Sequence, residues 1–284
     1  PRCREAHQVQ SYVDKVMEAK EYILKAGGIQ PEIALILGSG LGDLADEVSE
    51  AVKLPYEEIP HFPVSTVEGH AGQLVIGRWQ GKKVIIMQGR FHYYEGYSQK
   101  EVVFPIYVFK QLGVRLLVVT NACGGMNRAF RAGDLLLITD HINFTGDNPL
   151  IGPNHEALGP RFPDMSQAYS HRLIAFAEEV AKRLGIPLQK GVYVGISGPT
   201  YNTNQELSML AKLGGDVVGM STVPEVIAAR HTGLEVLGIS CITDMAIGGE
   251  VESISHEEVV AMANRTKPTF ARLVRAIVNE VELA

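Results

Sequence analysis

Cysteine is scarce and poorly placed for pairing: Cys3, Cys123 and Cys241 are odd in number, far apart and outside any CxxC spacing. Neither a disulfide framework nor a zinc site is indicated, and a reducing, cytoplasmic compartment is expected. Positive charge is also in short supply, with 26 Lys and Arg against 32 Asp and Glu for a net charge of -6. With no basic run, the chain carries no electrostatic footprint for nucleic acid. No apolar run reaches membrane-spanning length, and the opening PRCREAHQ has no signal-peptide core, so no membrane partner is expected. Repeats, low-complexity tracts and linkers are absent too. What remains, 284 residues with 46% hydrophobic and 20% charged content, reads as one globular domain spanning 1–284. Residues 1–30 supply an N-terminal helix packed on it, because Val9, Tyr12, Val13, Val16, Met17, Ile23 and Leu24 recur at helical spacing before Gly27-Gly28.

The chain alternates buried strands with polar, glycine-bearing loops. Val84–Met87 is an apolar run that ends abruptly in Gly89, Arg90, His92, Tyr94 and Glu95. At the carboxyl end of a strand in an open α/β sheet such a cluster faces the crevice where ligands bind. Arg90 brings a planar donor fork suited to an oxyanion, His92 a second donor, and Glu95 a group to orient that imidazole. A surface loop bearing a salt bridge fits these residues as well. Ile33–Leu37 runs into Gly38-Ser39-Gly40-Leu41-Gly42, whose small residues can surround an anion. It is neither a dinucleotide fingerprint, since Asp43 stands where the third glycine belongs, nor a P-loop, since no Lys-Ser/Thr follows.

Leu74–Ile76 and Val84–Met87 flank a turn at Gln80-Gly81-Lys82 and read as a hairpin, while Leu41–Val48 reads as helical. Val114–Val119 is a strand leading to a polar loop, Thr120 to Gly125, in which Asn121 is either a ligand group or a turn cap. Val102–Leu112 is a helix that Pro105 should distort. Asp134–Thr139 is a strand before a long loop bearing Arg161-Phe162-Pro163. Val192–Ile196 leads to Tyr201 and Asn202, and Met220-Ser221-Thr222-Val223-Pro224-Glu225 opens a helix at which Ser221 can be simply a cap. Glu235–Cys241 is the last buried strand, ending at Thr243-Asp244, after which a glycine-bearing loop carries His256 into a long C-terminal helix.

In this order, GSGLG, TVEGHAG, MQGRFHYYEGYS, TNACGG, GPRFP and GMSTVPEV resemble the trimeric purine nucleoside phosphorylase family. The resemblance implies an α/β fold with a mixed central sheet, a partly closed barrel flanked by helices, in a homotrimer. It also implies reversible phosphorolysis of purine nucleosides to free base and (deoxy)ribose 1-phosphate, with inorganic phosphate as co-substrate and without a metal or organic cofactor. Carried over residue by residue, phosphate contacts fall on Ser39, His70, Arg90, His92, Asn121, Ala122 and Ser221. Sugar contacts fall on Tyr94, Met220 and His256, with Phe162 reaching into the adjacent subunit. Base contacts fall on Tyr201, Asn202 and Asp244, and the catalytic set is His92, Asp244 and Glu95. For Tyr201 and Met220, core packing is the competing reading.

The chain departs from the 6-oxopurine pattern of that family, which has Glu at the place of Asn202 and Asn at the place of Asp244. A 6-aminopurine presents an N1 acceptor and an N6 donor, which suit an amide donor and an ionised carboxylate. Adenosine is therefore the expected base preference. Inosine and guanosine phosphorolysis, methylthioadenosine phosphorolysis, and an inactive nucleoside-binding trimer are the alternatives. His256 argues against the methylthio substrate, whose 5′ group wants an apolar wall.

Overall fold

A computed structural model describes residues 10–38, 40–64, 66, 71–247 and 253–284. Strands β1 (Ile33–Leu37), β2 (Ser49–Pro55), β3 (Gln73–Trp79), β4 (Lys82–Gln88), β5 (Leu116–Gly125), β6 (Leu135–Phe144), β7 (Leu188–Ile196), β8 (Val217–Gly219) and β9 (Glu235–Met245) form one mixed sheet in the order β2-β3-β4-β1-β5-β8-β7-β6-β9. Strand β9 pairs with both β6 and β5, so β5, β8, β7, β6 and β9 close on themselves. The sheet is thus a partly closed barrel with an open wing, and the wing is anchored by β1, whose five residues are all buried between β4 and β5. A strand buried on both faces reads as a continuous apolar run, as IALIL does.

Helices α1 (Tyr12–Gly27), α2 (Gln99–Gln111), α3 (His171–Leu184), α4 (Asn204–Lys212), α5 (Val223–His231) and α6 (His256–Glu280) surround the sheet. Their starts follow from local chemistry. Ser98 with Glu101, Thr203 with Glu206 and Ser255 with Glu258 form reciprocal capping boxes on α2, α4 and α6, and Ser11 caps α1. Helix α1 packs on α2, which packs on α5, while α6 covers β9. Helix α2 runs through Pro105 without interruption, held by burial of most of its residues.

Two expectations need correction. The Thr120–Gly125 stretch is strand, not loop, because β5 and β9 pair in parallel through it, with Asn121 opposite Ser240 and Gly124 opposite Asp244. The polar residues therefore sit on the barrel ladder itself. The stretch after the GSG loop is a short 3-10 turn, Gly42–Glu47, rather than a helix. Strand β2, mostly exposed at the sheet edge, has no apolar run to announce it. The Gln73–Gln88 hairpin is as read, with Gly81 in its turn at φ 76°.

Candidate functional site

Strand ends and barrel strands bring most of the expected site residues to one cavity. It encloses about 920 Å³ with its open mouth included and is lined by Arg90, His92, Tyr94, Ala122, Tyr201, Asn202, Met220, Ser221, Asp244 and His256. These come from the turn after β4, from β5, from the segments before α4 and α5, from β9 and from the start of α6. Ile196, Leu207, Val218, Ala246, Ile254 and Val259 complete a partly apolar wall that sequence reasoning did not name. A cavity with apolar walls and a few convergent polar groups is the usual form of a small-molecule site. Ser39 and His70 lie outside the described residues.

Arg90 is buried, and among the described residues Nε, Nη1 and Nη2 each donate a hydrogen bond. Nε donates to Glu225 Oε1 at 3.3 Å, Nη2 to Glu225 Oε2 at 3.1 Å, and Nη1 to the Thr120 carbonyl at 2.8 Å. The guanidinium plane is thereby fixed in advance. Glu225 was not among the sequence-derived site residues. Its signal, a carboxylate four residues after Ser221 in a proline-bearing helix start, was read only as helix chemistry.

Glu95 stands behind His92. Its Oε1 accepts from the His92 backbone N–H and from Nδ1, both at 2.9 Å, while Oε2 accepts from Thr66 N at 3.0 Å and Thr66 Oγ1 at 2.5 Å. Burial pushes this carboxyl up, but the His92 and Thr66 hydrogen bonds outweigh it and hold it at about 2. Because a carboxylate only accepts, His92 Nδ1 carries a proton. Tyr94 stacks on the imidazole with ring centroids 4.7 Å apart.

Thr222 sits at φ 75°, ψ −51°, and Val223 N–H donates to the Ser221 carbonyl at 2.8 Å. This is a γ-turn of the rare, strained hand. It corrects the capping reading of this segment. Neither hydroxyl caps α5, because Thr222 Oγ1 accepts instead from Asn121 Nδ2 at 2.9 Å and lies 3.1 Å from Ser221 Oγ. Asn121 is correspondingly a buried strand residue rather than a turn cap, and its Oδ1 has no partner among the described residues. Gly38 abuts it so closely that a Cβ there would stand 2.8 Å from Asn121 Cα, which fixes the start of the GSG loop against β5. Thr120 Oγ1 reinforces this, accepting from Gly38 N and donating to the Ile36 carbonyl.

Asp244 lies in the cavity wall, its Oδ1 accepting from Thr243 Oγ1 at 2.9 Å. Burial raises its carboxyl above the usual range, against that hydrogen bond, and the Glu258 charge adds to the rise. Tyr201 is raised by burial and then by the Asp244 charge. Phe162 is elsewhere. It is 88% exposed and lies in a separate hollow with Ile151, Arg161 and Met165. Among the described residues, no cluster of three or more His, Cys, Asp or Glu is arranged to hold a metal ion, and no helix is long and apolar enough to cross a membrane.

A family model described as the phosphorylase superfamily matches residues 32–279. The chain is 57% identical to purine nucleoside phosphorylase 1 of Bacillus subtilis over 95% of its own length and 99% of that protein. It superposes on the crystal structure of isoform 2 of purine nucleoside phosphorylase from Schistosoma mansoni, solved with cytosine and ribose-1-phosphate. The TM-score is 0.92, at 45% identity and over 95% of this chain and 98% of that one. For the Schistosoma mansoni purine nucleoside phosphorylase in complex with adenosine the TM-score is 0.91, at 43% identity and over 96% and 99% of the two chains. The chain therefore belongs to the phosphorylase superfamily and, within it, to the purine nucleoside phosphorylases.

Proposed function

We infer that the protein catalyses reversible phosphorolysis of purine nucleosides, using inorganic phosphate and releasing the free base and (deoxy)ribose 1-phosphate. The observation that carries this reading is the single cavity that gathers an oriented guanidinium, a carboxylate-backed imidazole and Ser221 with Tyr94, Met220, His256, Asn202 and Asp244. Cleaving the glycosidic bond builds positive charge on the sugar and negative charge on the purine, so groups that bind the charge-separated state accelerate it. Arg90 and His92 hold phosphate as nucleophile and counter-charge, with Ser39, His70, Asn121, Ala122 and Ser221 completing its contacts, and convert an encounter into an aligned attack. Tyr94, Met220 and His256 hold the sugar. Asp244, as a carboxylate in the cavity wall, stabilises a proton arriving on N7 of the leaving base. The reaction requires no metal or organic cofactor.

Adenosine is the preferred nucleoside in this reading, supported by the place of Asn202 and Asp244 in the cavity wall. The working unit is a homotrimer in which Phe162 completes a neighbour's sugar site. A ring 88% exposed beside other apolar side chains supports this, since such a patch marks an interface. A second reading, methylthioadenosine phosphorolysis, draws on Ile254 and Val259, which flank His256 with apolar surface.

The test is base release from adenosine, inosine and 5′-methylthioadenosine, each with and without phosphate. Phosphate-dependent release of adenine from adenosine is expected. No release from any of the three defeats the enzyme reading, and equal release without phosphate identifies a hydrolase.

A further inference from the structure

We propose that Thr66 is a positioning residue for the imidazole of His92, acting through Glu95. The two Glu95 oxygens are divided between partners: Oε1 holds His92 through N and Nδ1, and Oε2 holds Thr66 through N and Oγ1. The Glu95 side chain is 2% exposed, so water does not replace a lost donor cheaply. Thr66 itself is exposed and packs no core, and among the described residues its hydroxyl makes this bond and no other. The segment is delivered by a second contact, because the Tyr97 hydroxyl donates to the Val64 carbonyl at 2.6 Å and accepts from Val64 N at 3.1 Å. Residues 64 and 66 are thus docked on the turn that carries His92 and Glu95.

The consequence is geometric. With both donors on Oε2, the carboxylate is locked about its terminal torsion, and Oε1 presents a fixed acceptor to Nδ1. Removing the Thr66 hydroxyl leaves Oε2 with the Thr66 N–H alone, which loosens that rotation and weakens the restraint that aims His92 Nε2 at the anion. The proposal rests on the reading that His92 holds phosphate.

The experiment compares Thr66→Val and Thr66→Ser with the unaltered protein, varying phosphate and nucleoside separately. Thr66→Val should raise the phosphate KM by about five- to twentyfold, with the nucleoside KM within about twofold, and Thr66→Ser should restore the phosphate KM. In a Glu95→Ala background Thr66→Val should add nothing, since its only route to His92 is gone. An equal effect in that background, or an equal rise in both KM values, overturns the proposal. A readout free of activity is the Nδ1–H resonance of His92 in histidine-labelled protein, assigned by its loss in His92→Ala. It should broaden into solvent exchange in Thr66→Val and persist in Thr66→Ser, and persistence in both overturns the proposal. If the unaltered protein shows no phosphate dependence, the functional reading falls, and the resonance still decides whether Thr66 orders the imidazole.

Discussion

Arg90 and Glu225 meet as a bidentate ion pair with both side chains 4% exposed. The carboxylate comes from the first turn of α5, just after Ser221, so one segment supplies both a wall of the cavity and the brace behind its guanidinium. The pair also sets the electrostatics. With Glu225 cancelling the arginine charge, an anion is held by oriented donors more than by net positive potential, which favours selectivity and release over indiscriminate tight binding.

Removing one member of such a pair strands a buried charge. Glu225→Ala should lower the unfolding free energy by about 3–5 kcal/mol, and Glu225→Gln by less because an amide keeps one acceptor. Both should raise the phosphate KM by reorienting Arg90. Urea unfolding together with phosphate saturation checks this, and a Glu225→Ala protein with unaltered stability and phosphate KM contradicts the brace.

At Thr222 the usual ranking of alanine and glycine should reverse. Both substitutions remove the acceptor of the Asn121 amide, at a common cost of about 1–3 kcal/mol for a stranded buried group. Only glycine also relieves the strain of φ 75°, worth on the order of 1–3 kcal/mol. Thr222→Gly should therefore unfold at a higher urea concentration than Thr222→Ala. The opposite order would mean that the γ-turn is not strained.

The apolar strands, the hairpin and the helices were legible because burial on both faces of a strand and apolar recurrence at helical spacing leave direct marks in sequence. The site was legible mainly through its motifs. Asn121 looked like a loop residue because polar and glycine-rich stretches usually end strands, whereas here β5 continues pairing with β9 through it. Glu225 and Thr66 were not legible as site groups. Each acts through a contact across a long chain separation, Glu225 on Arg90 135 residues away and Thr66 on Glu95 29 residues away, and no local pattern encodes that.

Phe162 tests the shared site. If its ring completes a neighbouring subunit, Phe162→Ala should raise the nucleoside KM by about tenfold or more, the loss of a buried aromatic contact, while the phosphate KM stays near its original value. Sedimentation of the unaltered protein should give a trimer. Full activity in a monomer at high dilution contradicts the arrangement.

Glu95 predicts a definite acid dependence of stability. Its folded value of about 2 lies below the ordinary 4.5, so the unfolded chain binds the proton more readily and stability rises with pH. The contribution is fully present above about pH 4.5 and is lost as pH falls toward about 2. The stability difference between the unaltered protein and Glu95→Gln, measured by urea unfolding, should shrink steadily on acidification through that window. A difference that does not change with pH would show that the Glu95 hydrogen bonds are not those of an ionised group.

In the proposed function, base choice turns on Asn202 and Asp244. An ionised Asp244 accepts from the N6 amine of adenine, whereas O6 of hypoxanthine needs a donor there. Because burial raises the Asp244 carboxyl, it takes up a proton at a higher pH than an ordinary aspartate and gains an O–H that can serve O6. The kcat/KM ratio of adenosine to inosine should accordingly fall as pH is lowered, and the fall should vanish in Asp244→Asn. The paired exchange Asn202→Glu with Asp244→Asn should swing the ratio toward inosine by at least about tenfold, equivalent to roughly 1.4 kcal/mol, since each mismatched buried group is left unpaired in the disfavoured complex. A parent protein that strongly prefers inosine at neutral pH would refute the assignment of these two side chains, while leaving phosphorolysis itself intact.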